Sequence, residues 1–356
     1  MRHFRRLLSR VVAVGAAAIV VVSLVATRLD AQDFEKNILT GGFTGTYIQF
    51  GRDMSTMAQK CGVTLNVRES AGSLENFLGV RKRPFTQFGI VQSDVLEYLN
   101  TYAADDPAVA RAIVGVRIAF PLYNEEVHIL ATRDVTSLAD LAGKRVAIGV
   151  EESGTFLTAS LVLDLAEVTP AERLTIDAES SLAALLADDI DAFFYVAGAP
   201  TKIFQSDQID PERFHLVPVA DPTLRAVYQS TTIPAGTYSF LTNDLEAIAV
   251  KAVLMTYEYN PRRNPYHRAS CEAVSEIAHA VVTYFDTLRE SGHPKWKQVD
   301  LNDIPPGWDV GSCVNAGLDP EYPLSCEGKA PVAAPSSQES NANRAYRERI
   351  CEAVGC

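Results

Sequence analysis

The sequence has no Cys-x-x-Cys pair, no His-x-x-x-His spacing and no Gly-x-Ser-x-Gly elbow, although it holds six cysteines and six histidines. Each absence removes a chemistry. His3, His128, His215, His267, His279 and His293 are scattered, so no stretch offers metal ligands on one helix face, and no serine sits in the strand-turn-helix context of a hydrolase nucleophile. Positive charge is scarce as well, with 32 Lys and Arg against 44 Asp and Glu. An excess of negative charge disfavours nucleic acid and anionic membrane surfaces as partners. Beyond residue 31 no apolar run is long enough to cross a bilayer, and no repeat of fixed period is present. The acidic cluster Asp188, Asp189 and Asp191 reads as a turn before a strand rather than a calcium loop. No metal and no cofactor are expected.

What is present begins with a basic start, Arg2, Arg5, Arg6 and Arg10, running into an apolar stretch from Val11 to Val25. That is the layout of a secretory signal, here expected over residues 1–31 with cleavage after Ala31; an uncleaved anchor is the alternative. No Leu-x-x-Cys lipidation box follows, since the first cysteine is Cys61. Taking off residues 1–31 removes five arginines and one aspartate, so the formal charge moves from −12 to −16. The expected location is the periplasm. In an exported chain the cysteines read as disulfides, and the spacing suggests local bridges Cys313–Cys326 and Cys351–Cys356, leaving Cys61 with Cys271, one among many pairings.

Short apolar runs alternate with helical patterns, the rhythm of parallel α/β layers. Asn37–Thr40 leads through a glycine-rich turn to a helix over Thr46–Gln59, and Leu65–Arg68 and Gln87–Val91 each precede another helix. Val114–Phe120 and Val127–Ala131 read as two extended segments on either side of Pro121. From Ser137 the rhythm starts again, through Arg145–Gly149, a helix to Leu165, Leu174–Ile176 and Ala192–Val196. A long helix is expected over Ser270–Arg289, with Val274, Ile277, Ala278, Val281 and Phe285 on its buried face. The sequence thus predicts lobe one over 32–124, lobe two over 125–232, a return to lobe one over 233–312 and a cysteine-containing extension over 313–356. Two crossings make a two-strand hinge, and a cleft between lobes so joined suits a small ligand.

Four segments rich in glycine or hydroxyl residues fall between a strand and the helix after it: Gly41-Gly42-Phe43-Thr44-Gly45-Thr46-Tyr47, Gly72-Ser73-Leu74-Glu75-Asn76, Gln92-Ser93-Asp94 and Ser153-Gly154-Thr155. In open α/β sheets this edge is where ligands bind, and free N–H groups of helix starts favour anions there. Each segment taken alone reads as an ordinary helix cap.

Together with Leu141-Ala142-Gly143-Lys144-Arg145-Val146, Asp191-Ala192-Phe193-Phe194, Gly198-Ala199-Pro200 and Ile233-Pro234-Ala235-Gly236-Thr237-Tyr238, these segments stand in the order seen in TAXI-type solute receptors of TRAP transporters, which the chain resembles over residues 36–290. The resemblance implies an α/β, two-lobed periplasmic-binding-protein type II fold. It implies a monomeric, non-enzymatic receptor that delivers an amino acid or organic acid to the membrane permease subunits of a TRAP-type secondary transporter. By position it assigns Thr44, Gly45, Thr46, Tyr47, Ser73, Asn76, Gln92 and Ser93 of lobe one to the ligand, with Ser153, Gly154, Thr155 and Gly198 of lobe two. Tyr47 has interlobe packing as its alternative role. A periplasmic sensor presenting the ligand to a membrane kinase, or an enzyme on the same scaffold, are the competing readings. The chain departs from the family at Glu151-Glu152, where small residues or proline are usual, and at Phe156, where a basic residue is frequent. Both changes disfavour an anionic ligand if the glutamates face the cleft; solvent-facing glutamates at a helix start are the alternative.

Overall fold

The computed structural model describes residues 34–101 and 107–326. The expected leader and the pair Cys351 and Cys356 lie outside these residues. The first stretch of the chain forms β1 (Asn37–Leu39), α1 (Thr46–Gln59), β2 (Asn66–Arg68), α2 (Ser73–Lys82), β3 (Thr86–Gln92), α3 (Ser93–Thr101), α4 (Pro107–Ile113) and β4 (Val116–Thr132). Next come β5 (Arg145–Ala147), α5 (Gly154–Leu165), β6 (Glu172–Leu174), α6 (Ala178–Leu186), β7 (Ala192–Ala197) and β8 (Phe214–Leu216). The last set is α7 (Pro222–Val227), β9 (Gln229–Ile233), β10 (Leu245–Tyr257), α8 (Pro265–Thr283), α9 (Phe285–Ser291) and α10 (Ser312–Gly317).

All strands join one sheet in the order β2-β1-β3-β10-β4-β7-β5-β6, with β8 on β4 and β9 on β10. The long strands β4 and β10 run antiparallel to each other and are shared by both halves. Around them the apolar side chains sort into two pairs of cores. Phe50, Phe88, Ile277 and Trp296 pack on one face of the first half, and Phe77, Val91, Leu96 and Val253 on the other. Ile129, Val146, Val162 and Phe194, and then Leu130, Phe193, Phe204 and Tyr238, do the same for the second. Each half is therefore a sheet with helices on both faces, as parallel strands buried on two sides require. The two-lobed α/β fold with a two-strand connection and a C-terminal extension, expected from the sequence, is the fold observed.

Three expectations need correction. The two extended segments flanking Pro121 are one strand. Within the first lobe β10 is the strand paired with β4, beside an isolated bridge from Ile118 to Val310, and β7 joins it from Glu126 onward. Pro121 thus lies on an edge, opposite a register shift in β10 between Lys251 and Val253, where its missing N–H breaks no ladder. The return to lobe one also comes later than residue 232. Antiparallel pairing of β9 with β10, Ile233 against Leu245, turns the chain back inside lobe two. Ile233, Tyr238 and Ala247 belong to the second lobe's core, and the chain re-enters the first lobe's only at Ala252. Finally, the helix expected over Ser270–Arg289 starts earlier, at Pro265 under an Asn264 cap, and leaves helical geometry at Tyr284 (φ −106°, ψ 20°) before α9. That bend lets Phe285 meet the buried Trp296 edge-on.

The described cysteines pair as Cys61–Cys326 and Cys271–Cys313, not as expected. The reason is that the segment after α9 does not form a separate knot. It lies along lobe one, where Gly311 N–H donates to the Ile118 carbonyl and Ile118 N–H to that of Asp309, so Cys313 meets α8 and Cys326 meets the end of α1.

Candidate functional site

Helices α1, α2, α5 and α6 follow β1, β2, β5 and β6, and their starting residues come together where the two lobes face each other. A cavity of about 140 Å³ opens there, lined from lobe one by Gly41 to Tyr47, Ser70 to Ser73, Gln92 and Glu125, and from lobe two by Gly149, Ser153 to Thr155, Asp177 to Glu179 and Phe194 to Ala197, Phe43 excepted. The glycines serve close approach. Gly72 adopts φ 128°, and a Cβ there would come 3.3 Å from Ser153 Cα of the other lobe. The starts of α1 and α2 have no side-chain cap, whereas Ser153 caps α5 through Phe156 N–H and Asp177 caps α6 through Ser180 N–H.

The lobes touch directly in this structure. Thr46 Oγ1 donates to the Gly198 carbonyl (2.8 Å) and Thr158 Oγ1 to Asp94 (2.7 Å). Leu74 N–H and Glu75 N–H both donate to the Glu152 carbonyl, which thereby occupies the start of α2. Thr44 Oγ1 donates to Glu179. These are contacts of a closed cleft.

Of the twelve residues singled out by sequence, nine line the cavity: Thr44, Gly45, Thr46, Tyr47, Ser73, Gln92, Ser153, Gly154 and Thr155. The other three stand behind it. Asn76 is wholly buried and pins β1 to β3, its Nδ2 donating to the carbonyls of Thr40 and Ile90. Ser93 only opens α3. Gly198 receives Thr46 and packs on Tyr123. Glu151 and Glu152 are exposed, and neither side chain borders the cavity. Of the two readings the sequence left open for them, the structure gives the solvent-facing one, and the negative charge in the cleft comes from other residues.

The residue that sequence reasoning missed is Glu125. It sits at the crossing point of β4, 1% exposed, and its Oε2 accepts from the Tyr47 hydroxyl at 2.7 Å. Burial pushes its carboxyl up to about 8, against the lowering effect of the Tyr47 hydrogen bond. Burial also raises Asp94, to about 6. The Tyr195 hydroxyl is raised by burial, then by the charges of Glu179 and Glu125. The signal for Glu125 was available in the sequence, as Asn124-Glu125-Glu126 interrupts an otherwise apolar run from Ala119 to Ala131 at a predicted lobe crossing. Glu126 beside it does something different. It forms a buried ion pair with Lys295 and accepts from Ala199 N–H (2.8 Å), tying the two lobes at the crossing.

The charged groups on the cavity wall are thus all acidic, Glu125, Asp177 and Glu179, with no Lys, Arg or His among its described lining residues. Among the described residues no group of three His, Cys, Asp or Glu side chains is placed to hold a metal ion. A second hollow of about 230 Å³ shares Thr44, Gly45 and Thr46 and is bordered by Lys202 and His293 on the far side of the α1 start.

A family model described as the NMT1-like family matches residues 38–267. Among solved structures, the periplasmic binding protein BugD is 10% identical with a TM-score of 0.46, over 75% of this chain and 88% of that one. MatC from Rhodopseudomonas palustris, solved with bound malate, is 13% identical with a TM-score of 0.44, over 90% and 96%. The periplasmic sulfonate-binding protein SsuA from Methylobacillus flagellatus KT is 13% identical with a TM-score of 0.40, over 81% and 85%.

Proposed function

The chain belongs to the NMT1-like family, and on that premise we propose that it is an extracytoplasmic solute receptor of the TAXI type, which closes its lobes on a small molecule and delivers it to the permease of a TRAP transporter. The observation that carries this reading is the cleft itself. Polar residues from both lobes line it, three hydroxyl–acceptor pairs join the lobes around it, and among the described residues the chain connecting the lobes is the pair of strands β4 and β10. Such a joint lets the lobes part without breaking either core. Two disulfides support an oxidising compartment, and export by removal of residues 1–31 is part of the proposal. The ligand is a small solute, an amino acid or organic acid, and it is held by Thr44 to Tyr47, Ser73, Gln92 and Ser153 to Thr155.

The test is a thermal-shift screen against amino acids and small organic acids, followed by small-angle scattering with the best hit. A ligand at a hundred times its Kd should raise stability by about 2.7 kcal/mol and reduce the radius of gyration. A bound ligand with no change in scattering would count against lobe closure, and no stabilising solute would count against the receptor reading.

A further inference from the structure

We propose that the cleft recognises its solute through a protonated nitrogen, received by Glu125 on the floor and Glu179 at the rim, and that it rejects dicarboxylates. This rests on the receptor reading above. Three features carry it. Every charged group on the described cavity wall is a carboxylate, and one of them, Glu125, is wholly buried. Gln92 on the same floor is 1% exposed, and its side-chain oxygen has no hydrogen-bond partner among the described residues. It is an acceptor held ready for an N–H donor. Third, the cation that acts on Glu125 is already engaged: Lys295 Nζ donates to the Asn124 carbonyl, to Glu126 and to Gln298, which uses all three of its protons. It has none left for a ligand anion.

The surroundings of Glu125 favour the same conclusion. Tyr47 faces it from α1, Asp94 from α3 and Tyr195 from β7, with Tyr123 and Glu126 on its own strand and Lys295 on the turn after α9. Burial first, and then the neighbouring acids Asp94 and Glu126, resist its ionisation, so in an empty cleft it keeps its proton near neutrality. An ammonium group arriving beside it supplies the missing counter-charge. The carboxyl proton then passes to solvent while the ligand nitrogen keeps its own, and a buried ion pair replaces a buried neutral acid. A dicarboxylate has no such partner and meets Glu179 and Asp177 at the rim.

The experiment is isothermal titration calorimetry of the full chain with L-glutamine, putrescine and succinate, at pH 6.5 and 8, in two buffers of different ionisation enthalpy. The expected result is binding of at least one amine with release of a proton to the buffer at pH 6.5. Affinity should strengthen toward pH 8, by at most about tenfold per pH unit. Glu125→Gln should weaken that binding at least tenfold and abolish the proton release. The proton count on the unaltered protein stands even if that variant folds poorly, and Glu179→Gln, at an exposed position, should weaken the amine by a smaller factor. Succinate binding while both amines fail overturns this inference and leaves the receptor reading intact. Amine binding with no proton release, unchanged in Glu125→Gln, overturns it too. Failure of every solute in the wider screen removes both.

Discussion

At the scale of the residue, Glu125 sets a pH dependence that can be worked out in sign. Unfolded, it titrates near its ordinary value of 4.5, and folded it holds its proton to about 8. Asp94 behaves likewise between 3.8 and about 6. Below the lower values both states are protonated and these groups contribute fully. As pH rises, the unfolded chain releases its protons first, and stability falls until the folded pKa is passed. Burial holds His128 and His293 down to about 4, and these groups add stability as pH rises toward 6.5, so the expected outcome is a ligand-free melting temperature that declines from about pH 6.5 to 8, with Glu125 accounting for a loss on the order of 2 kcal/mol. Glu125→Gln should flatten the decline between about pH 6.5 and 8, and a differential scanning fluorimetry series across that range checks it. An unchanged slope in the variant would mean that Glu125 is ionised in the empty cleft. The sequence did not reveal this residue's role, because the cost of burying a carboxylate depends on what packs around it. Glu151 and Glu152 show the converse. Adjacent to a helix start they could face either the cleft or solvent, and the backbone turns them to solvent and brings only the Glu152 carbonyl across.

Elements were easier to read than residues where local chemistry decides them. The glycine-rich turn before Thr46 and the serine cap before Gly154 fixed two helix starts to within one residue, because a cap is a property of a few neighbouring side chains. The strands β4 and β10 were harder, since whether Pro121 ends a strand depends on which neighbour lies beside it in the folded sheet. The same limit hid the late return of the chain, which follows from β9 pairing with β10 rather than from any residue at 232. One helix start also has a consequence for closure. Gly154 opens α5 in lobe two, and a methyl group there would come 1.7 Å from Gln92 Oε1 and 2.7 Å from Ser73 Oγ, both in lobe one. Those atoms are neighbours only when the lobes meet. Gly154→Ala is therefore expected to leave the melting temperature of the ligand-free protein within about 2 °C, since alanine suits a helix start no worse than glycine. It should weaken ligand affinity by roughly tenfold or more and reduce the ligand-induced compaction seen by scattering, as a cost of about 1.4 kcal/mol in the closed state suffices for tenfold. Full affinity in this variant would show that bound lobes do not approach as closely as they do here.

For the whole molecule, the decisive asymmetry is that both described disulfides belong to lobe one, while the cleft draws on both lobes. Cys61–Cys326 joins residues 265 positions apart, and Cys271–Cys313 residues 42 apart. Between them they hold the segment from Leu301 to Cys326 against α1, α8 and the outer edge of β4. By the loop-closure argument the shorter bridge alone is worth roughly 4 kcal/mol to the folded state. None of the nine cavity-lining residues foreseen from the sequence takes part in either bridge or touches the strapped segment through a described hydrogen bond. Reduction should therefore destabilise lobe one from its outer edge inward and reach the cleft last. In hydrogen exchange of the reduced protein, peptides over 301–326 and the α8 region should lose protection, while those over 41–47 and 153–165 keep theirs. The melting temperature should fall by several degrees, and a ligand should still raise it. The shared strands give the opposite possibility a clear signature. If β4 and β10 couple the lobes so tightly that losing the strap unfolds everything at once, protection will fall together across both lobes and the ligand-dependent shift will vanish with it.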